Sequence, residues 1–337
     1  MFKKKKDNKK IWLAIGLSAV LLGIPGGTIA RVTMSEIDSL TLLTLRLGLA
    51  AIVFAPFVLR FFTQHTKLIR KQWRNLAISS VGFWIGMMFW FMAIERSSAS
   101  YASVLYLLAP IALVFFSARI IKDRVSRRAR TGITLATFGG LVAVALPAIL
   151  NSSVGSSVYP LATILLLIVC VIDPLAVIYQ RRANEAGVPM VVCIGLMAIT
   201  GALASMFVLS LAKSPDQVIS AIANLSISGW LAVVYMALAL TFLSQSLTIK
   251  SFERLGAAVT GGFLYLTSLG SIVLPLIVLG EQLSIEMTVG ALLILLGVYI
   301  AQSHAKRDGG PLRRFLNRNP LFTYMRFWQL SHRLGRA

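Results

Sequence analysis

Two charged side chains stand inside long apolar runs, and both are types that do chemistry. Asp173 lies in the run 158–180 and is the one acid well inside any such run; Arg46 lies in the run 40–62. A charge inside a membrane is expensive and by default marks a working site, and burial favours the protonated form of an acid. Asp173 is suited to binding a cationic substrate, to exchanging a proton, or to pairing with a buried arginine. The structural alternative is a neutral acid bonded to a nearby carbonyl. Arg46 is suited to holding a carboxylate, to pairing with Asp173, or to reaching outward along its apolar stem. Arg60, near the other end of the same run, has the last of these roles. Residues 83–92 read Phe-Trp-Ile-Gly-Met-Met-Phe-Trp-Phe-Met. Their aromatic and Met side chains, Trp84 and Trp90 among them, can line a pocket for flat or cationic molecules, or pack as ordinary core. Tyr101, Tyr106, Tyr235 and Tyr265 are candidate cavity hydroxyls.

The elements that must position these residues follow from composition. The chain has 337 residues, 57% of them hydrophobic and only 13% charged, with a mean hydropathy of +0.80. Soluble domains average about 25% charged residues. One soluble core could not hide so much apolar surface, and disorder is excluded for the same reason. Ten runs of roughly 20 residues read as transmembrane helices: 11–30, 40–62, 76–94, 97–118, 131–150, 158–180, 188–212, 225–249, 255–280 and 287–303. Barrel strands would be about half that length and would alternate in polarity. The expected fold is an all-α membrane protein.

The net charge of +21 would suggest a nucleic-acid partner in a soluble chain. Here 28 of the 33 Lys and Arg residues fall on one side of the alternating runs. Only Arg31, Arg96 and Lys213 fall on the other side, and Arg46 and Arg60 lie inside a run. This is the positive-inside bias, so both termini are expected in the cytoplasm and no nucleic acid is needed to explain the charge. The lysines before the first run, with no small-x-small site after it, mark a retained anchor rather than a cleaved signal peptide. Two cysteines, Cys170 and Cys193, exclude a disulfide scaffold and Cys-based metal sites. His65, His304 and His332 form no ligand set, and no phosphate-binding loop is present. No cofactor, metal or enzymatic activity is expected.

A shift of 158 residues places Glu95-Arg96 on Glu253-Arg254, Asp123 on Glu281, Gly132 on Gly290 and Gly139 on Gly297. The chain therefore reads as two five-helix repeats, 11–150 and 158–304, joined by a polar linker, 151–157. Five is odd, so the repeats enter the membrane from opposite sides. Inverted repeats can exchange shapes, which is the geometry of alternating access. Glu95, Asp123, Glu253 and Glu281 mark equivalent helix ends. Pro25 with Gly26 and Gly27, and Pro174 beside Asp173, predict a pair of broken helices that act as hinges or as packing kinks. Before the first repeat lies a basic segment, 1–10. The basic, aromatic tail 305–337 suits a helix on an anionic cytoplasmic leaflet.

Taken together, these motifs resemble the ten-helix drug/metabolite transporter superfamily, in particular its EamA-type carriers. The resemblance rests on Leu45-Arg46-Leu47, on Pro110 through Asp123 with Gly132 and Gly139, and on Leu279-Gly280-Glu281-Gln282-Leu283 with Gly290 and Gly297. It covers roughly 11–304. It implies a secondary transporter that exports small organic metabolites or drugs across a bacterial inner membrane. Its substrate cavity would lie between the repeats, with the fifth and tenth spans peripheral. The sequence departs from the family pattern at Ser268, where proline is common, and near Ile24-Pro25 and Asp173, where Trp is common. A non-transporting binding or regulatory protein on the same fold, and a flippase for lipid-linked substrates, are the alternatives.

Overall fold

A computed structural model describes residues 9–120, 127–150, 159–247 and 257–303. Among these residues there is no β-strand. The helices are α1 (Lys9–Gly23), α2 (Gly26–Thr33), α3 (Ser39–Gln64), α4 (Thr66–Glu95), α5 (Ala99–Tyr106), α6 (Ala109–Ile120), α7 (Arg127–Leu150), α8 (Pro160–Glu185), α9 (Met190–Ala212), α10 (Pro215–Ala223), α11 (Ile227–Val234), α12 (Tyr235–Ser244), α13 (Ala257–Val278) and α14 (Ile285–Ser303). Among the described residues, six stretches are long and apolar enough to cross a membrane: Ile11–Thr33, Ser39–Gln64, Thr66–Glu95, Pro160–Glu185, Met190–Ala212 and Ile227–Leu247. Shorter apolar helices accompany them at Ala99–Leu113, Arg130–Val144, Leu266–Val278 and Ile285–Ile300. Ile52, Leu211 and Ile277 are each more than 70% exposed. Such outward apolar side chains suit lipid rather than water.

Pro25 divides the first apolar run into α1 and α2, because proline brings no N–H to the helical ladder. The matching break expected at Pro174 is absent: α8 runs unbroken from Pro160 to Glu185 with Pro174 buried inside it. In a packed bundle, neighbouring helices can carry a single missing backbone bond. A break occurs instead in 97–118, which reads as one span in sequence. α5 ends at Tyr106, Leu107 and Leu108 turn through short i→i−3 bonds to Val104 and Leu105, and Pro110 opens α6. α12 is wound as a π-helix. α10 folds within the connection between 212 and 225, started by a reciprocal cap between Ser214 and Gln217.

The glycines that mark the repeat meet across the molecule. A Cβ at Gly139 would stand 2.8 Å from the Gly290 carbonyl, and one at Gly290 would stand 2.7 Å from the Gly139 carbonyl. A Cβ at Gly297 would stand 2.5 Å from the Gly132 carbonyl. As one number rises the other falls, so α7 and α14 are antiparallel and pack backbone against backbone. The 158-residue shift converts the pair 132–297 into the pair 290–139. Other contacts follow the same exchange. α3 packs on α9 and α5 on α13; α4 against α8 has its image in α1 against α12.

Candidate functional site

Asp173 projects from α8 onto α4, where Gly82 and Gly86, one turn apart, open a slot. A Cβ at Gly82 would come within 2.9 Å of Ala176 Cβ. One at Gly86 would overlap Asp173 Oδ1 and lie 2.9 Å from its Cγ. The carboxyl group therefore rests directly on the α4 backbone. Its Oδ2 accepts a hydrogen bond from the Tyr106 hydroxyl at 2.9 Å, while Oδ1 is sealed and has no hydrogen-bond partner. A carboxylate has roughly four acceptor positions, so a single donor leaves it under-satisfied. Tyr106 stands at the end of α5, beside the α5–α6 break, and is 39% exposed. One turn before Asp173, the Cys170 thiol donates to the Leu105 carbonyl at 3.5 Å. An acid so placed can take a proton or receive a cation.

Arg46 neither pairs with Asp173 nor reaches outward. It is only 6% exposed; its Nε and Nη2 donate to Thr241 Oγ1 at 3.3 and 3.2 Å, and its guanidinium lies 5.4 Å from the centre of the Phe91 ring. Trp90 packs edge-on to Phe91 with centroids 5.5 Å apart and faces Gly27. Trp84 turns to α9, where its Nε1 donates to Ser205 Oγ at 2.8 Å. Tyr101 is buried, hydrogen-bonded to the Thr163 hydroxyl, and lies edge-on to Tyr159. The side chain of Tyr265 lies outside the described residues. The fold thus joins Asp173 with Tyr106, and Arg46 with the Phe91–Trp90 edge, while Trp84 and Tyr101 tie helices together. Gly86 and Thr241 belong to these sites without having been singled out in sequence. Gly86 had a signal, being the one small residue in the bulky run 83–92. Thr241 had none, because its role depends on the π winding.

The break at Pro25 is splinted from the other repeat. Ser244 donates to the Ala19 carbonyl at 3.0 Å, Tyr235 to Leu22 at 2.8 Å, and Ser271 to Ile24 at 3.3 Å. Leu240 lies over Gly26, and Ile24 fills the space that a Cβ on Gly270 would occupy.

At one end of the bundle, carboxylates cap the starts of helices. Glu95 accepts from Ser39 N and Oγ at 3.0 and 2.7 Å. Glu281 reaches the start of α5, accepting from Ala99 N at 2.9 Å and Ser100 N at 2.8 Å. Glu36 accepts from Ser226 N and Oγ at 2.9 and 2.8 Å; those bonds, the backbone one foremost, hold its carboxyl below the ordinary value. Asp38 caps α3 and meets Lys213 Nζ at 2.5 Å. Burial pushes Asp38 up, but the bonds from Lys213 and Thr41 and the lysine's charge outweigh it, leaving it below the ordinary value. Helix N-termini present unpaired N–H groups and positive dipole ends, which is why acids settle there. At the same end a cavity of about 440 Å³ opens among Arg31, Ser98, Tyr101, Tyr159, Glu281 and Met287. Asp123 and Glu253, the expected partners at the opposite end, lie outside the described residues, as do the linker 151–157 and the tail 305–337.

The model of the EamA-like transporter family matches the chain twice, over residues 9–145 and 160–302. A solved crystal structure of another protein superposes with a TM-score of 0.58. It covers 89% of this chain and 100% of its own at 20% identity, a likeness of fold alone. Among curated proteins none matches the sequence.

Proposed function

The chain belongs to the EamA-like transporter family, and on that premise we propose that it is a secondary transporter exporting small organic metabolites by alternating access, coupled to protons. In this reading ten spans cross the membrane as two inverted repeats. The face rich in Lys and Arg lies in the cytoplasm, and the carboxylate-capped end lies outside. The observation that carries the reading is Asp173: a sealed acid with one donor, at the meeting of α4, α5 and α8, beside an exposed tyrosine. The antiparallel, exchangeable packing of α7 on α14 supports it, because two such halves can swap shapes around a central site. A proton bound at Asp173 from one side and released to the other would couple its gradient to the cargo.

The test is metabolite flux in proteoliposomes, with and without a pH gradient. Wild-type protein should accumulate a cargo against its gradient when one is imposed. Asp173→Asn should keep counterflow exchange and lose gradient-driven accumulation. Unchanged pH-dependent accumulation in Asp173→Asn would end the proton role; ligand binding without flux in the wild type would move the protein to a receptor or regulatory role.

A further inference from the structure

We propose that Arg46, oriented by Thr241, binds a single carboxylate of the transported molecule. This rests on the transporter reading above and names the substrate class that its interior accepts.

A guanidinium within a span needs a counter-charge, and none is supplied among the described residues. Its hydrogen bonds run to one neutral hydroxyl. Among the described residues the ion pairs are Arg96–Glu95, Arg181–Glu185 and Lys213–Asp38, and none involves Arg46. The Phe91 ring offers attraction to a cation without carrying a charge. Nor does the side chain escape to water along its stem, since it is 6% exposed.

The free part of the group is its fork. Arginine has five N–H donors, of which Thr241 engages Nε and Nη2. Nη1 makes no hydrogen bond among the described residues. Thr241 fixes the plane of the fork. Its hydroxyl proton goes to the Met236 carbonyl, five residues back, at 2.9 Å, so towards Arg46 it can only accept. That bond exists because α12 is π-wound, a winding frequent at functional sites. Arg46 and Thr241 also stand on different repeats, so an anion on the fork would sit at the seam across which the halves move. One guanidinium neutralises one negative charge. A carboxylate balances it and can engage the fork edge, whereas a phosphate dianion would carry a second, uncompensated charge into the span.

The full chain, purified in detergent, should be stabilised thermally by benzoate, not by the neutral benzamide, and less by phenyl phosphate. Arg46→Gln should abolish the benzoate shift. Thr241→Val, which keeps the charge and provides the test if Arg46→Gln does not fold, should weaken benzoate binding about tenfold. That is the equivalent of losing roughly 1.4 kcal/mol. No benzoate shift in the wild type, a shift surviving Arg46→Gln, full affinity in Thr241→Val, or a preference for phenyl phosphate would each overturn the proposal. Counterflow of labelled benzoate in liposomes separates the two readings. Arg46-dependent binding without counterflow removes the transporter reading and leaves the site. Counterflow indifferent to Arg46 removes the site and leaves the transporter.

Discussion

If Gly86 exists to seat Asp173, a methyl group there should be costly only while Asp173 is present. An alanine Cβ at 86 would overlap Oδ1 and stand 2.9 Å from Cγ. Either the carboxyl turns away from Tyr106, losing a hydrogen bond worth about 1–3 kcal/mol with a charged acceptor, or α4 and α8 move apart at a similar overpacking cost of about 1–3 kcal/mol. Gly86→Ala should therefore destabilise the protein by about 2 kcal/mol. In an Asp173→Ala background the obstructing atoms are gone, and the same change should cost less than about 0.5 kcal/mol. Gly82→Ala is the internal control. Its Cβ would press on Ala176 at 2.9 Å rather than on Asp173, so its cost should be the same in both backgrounds. The four variants can be compared by their unfolding midpoints in mixed micelles titrated with a denaturing detergent. An equal penalty for Gly86→Ala with and without the Asp173 side chain would refute the reasoning.

Removing the Trp84–Ser205 bond by Trp84→Phe should cost about 1 kcal/mol, and Ser205→Ala should add almost nothing to it; additive losses would show that the two do not act through one bond. Glu281→Gln keeps the side chain's size and gives up charge at the start of α5, so it should cost about 1–2 kcal/mol and speed amide exchange at Ala99 and Ser100. Slow exchange retained at both amides would remove Glu281 as the cap. Glu36 and Asp38 are both held below the ordinary carboxylate value. Their contribution is therefore present above the unfolded value of about 4 and is lost as pH falls through the lower folded value. Acidification below pH about 4 should expose the Ser226 and Thr41 amides, and Glu36→Gln with Asp38→Asn should flatten that response; an unaltered profile in the double variant would exclude these two acids.

Much of the fold was legible because membranes impose a simple grammar. Apolar length marks a span. The repeat was legible from Gly132, Gly139, Gly290 and Gly297, since close helix approach demands glycine at fixed positions. Asp173 was conspicuous because charge inside a span is rare. Less visible was anything decided by packing. Pro174 and Pro25 both signal a break, yet α8 stays whole while the first span breaks; Pro25 alone is flanked by glycines, Gly23, Gly26 and Gly27, and hydroxyls on Tyr235, Ser244 and Ser271 take the carbonyls around it. Pro110 was read as part of one continuous span, although it sits beside the break that brings the end of α5 next to Asp173. The π winding of α12 leaves no pattern in composition, so the partner of Arg46 could not be named.

Under the proposed function, the departures from two-fold symmetry are where the work of the cycle would concentrate. Exchange of the repeats turns the α4–α8 contact into the contact of α1 with α12. On the first side the seam holds an acid pressed against glycine with one donor. On the second it holds backbone carbonyls of a broken span, tied by neutral hydroxyls from the opposite repeat. Neither arrangement could serve in the other's place. Hydroxyl-to-carbonyl bonds can be exchanged one at a time at about 1 kcal/mol each, so the Pro25 seam can slide. A buried carboxyl cannot change its surroundings so cheaply, so the Asp173 seam should resist movement until a proton or cation reaches it. In the proposed transport cycle the two seams would have separate roles: one would supply the freedom to change shape, and the other would set the condition under which the change occurs.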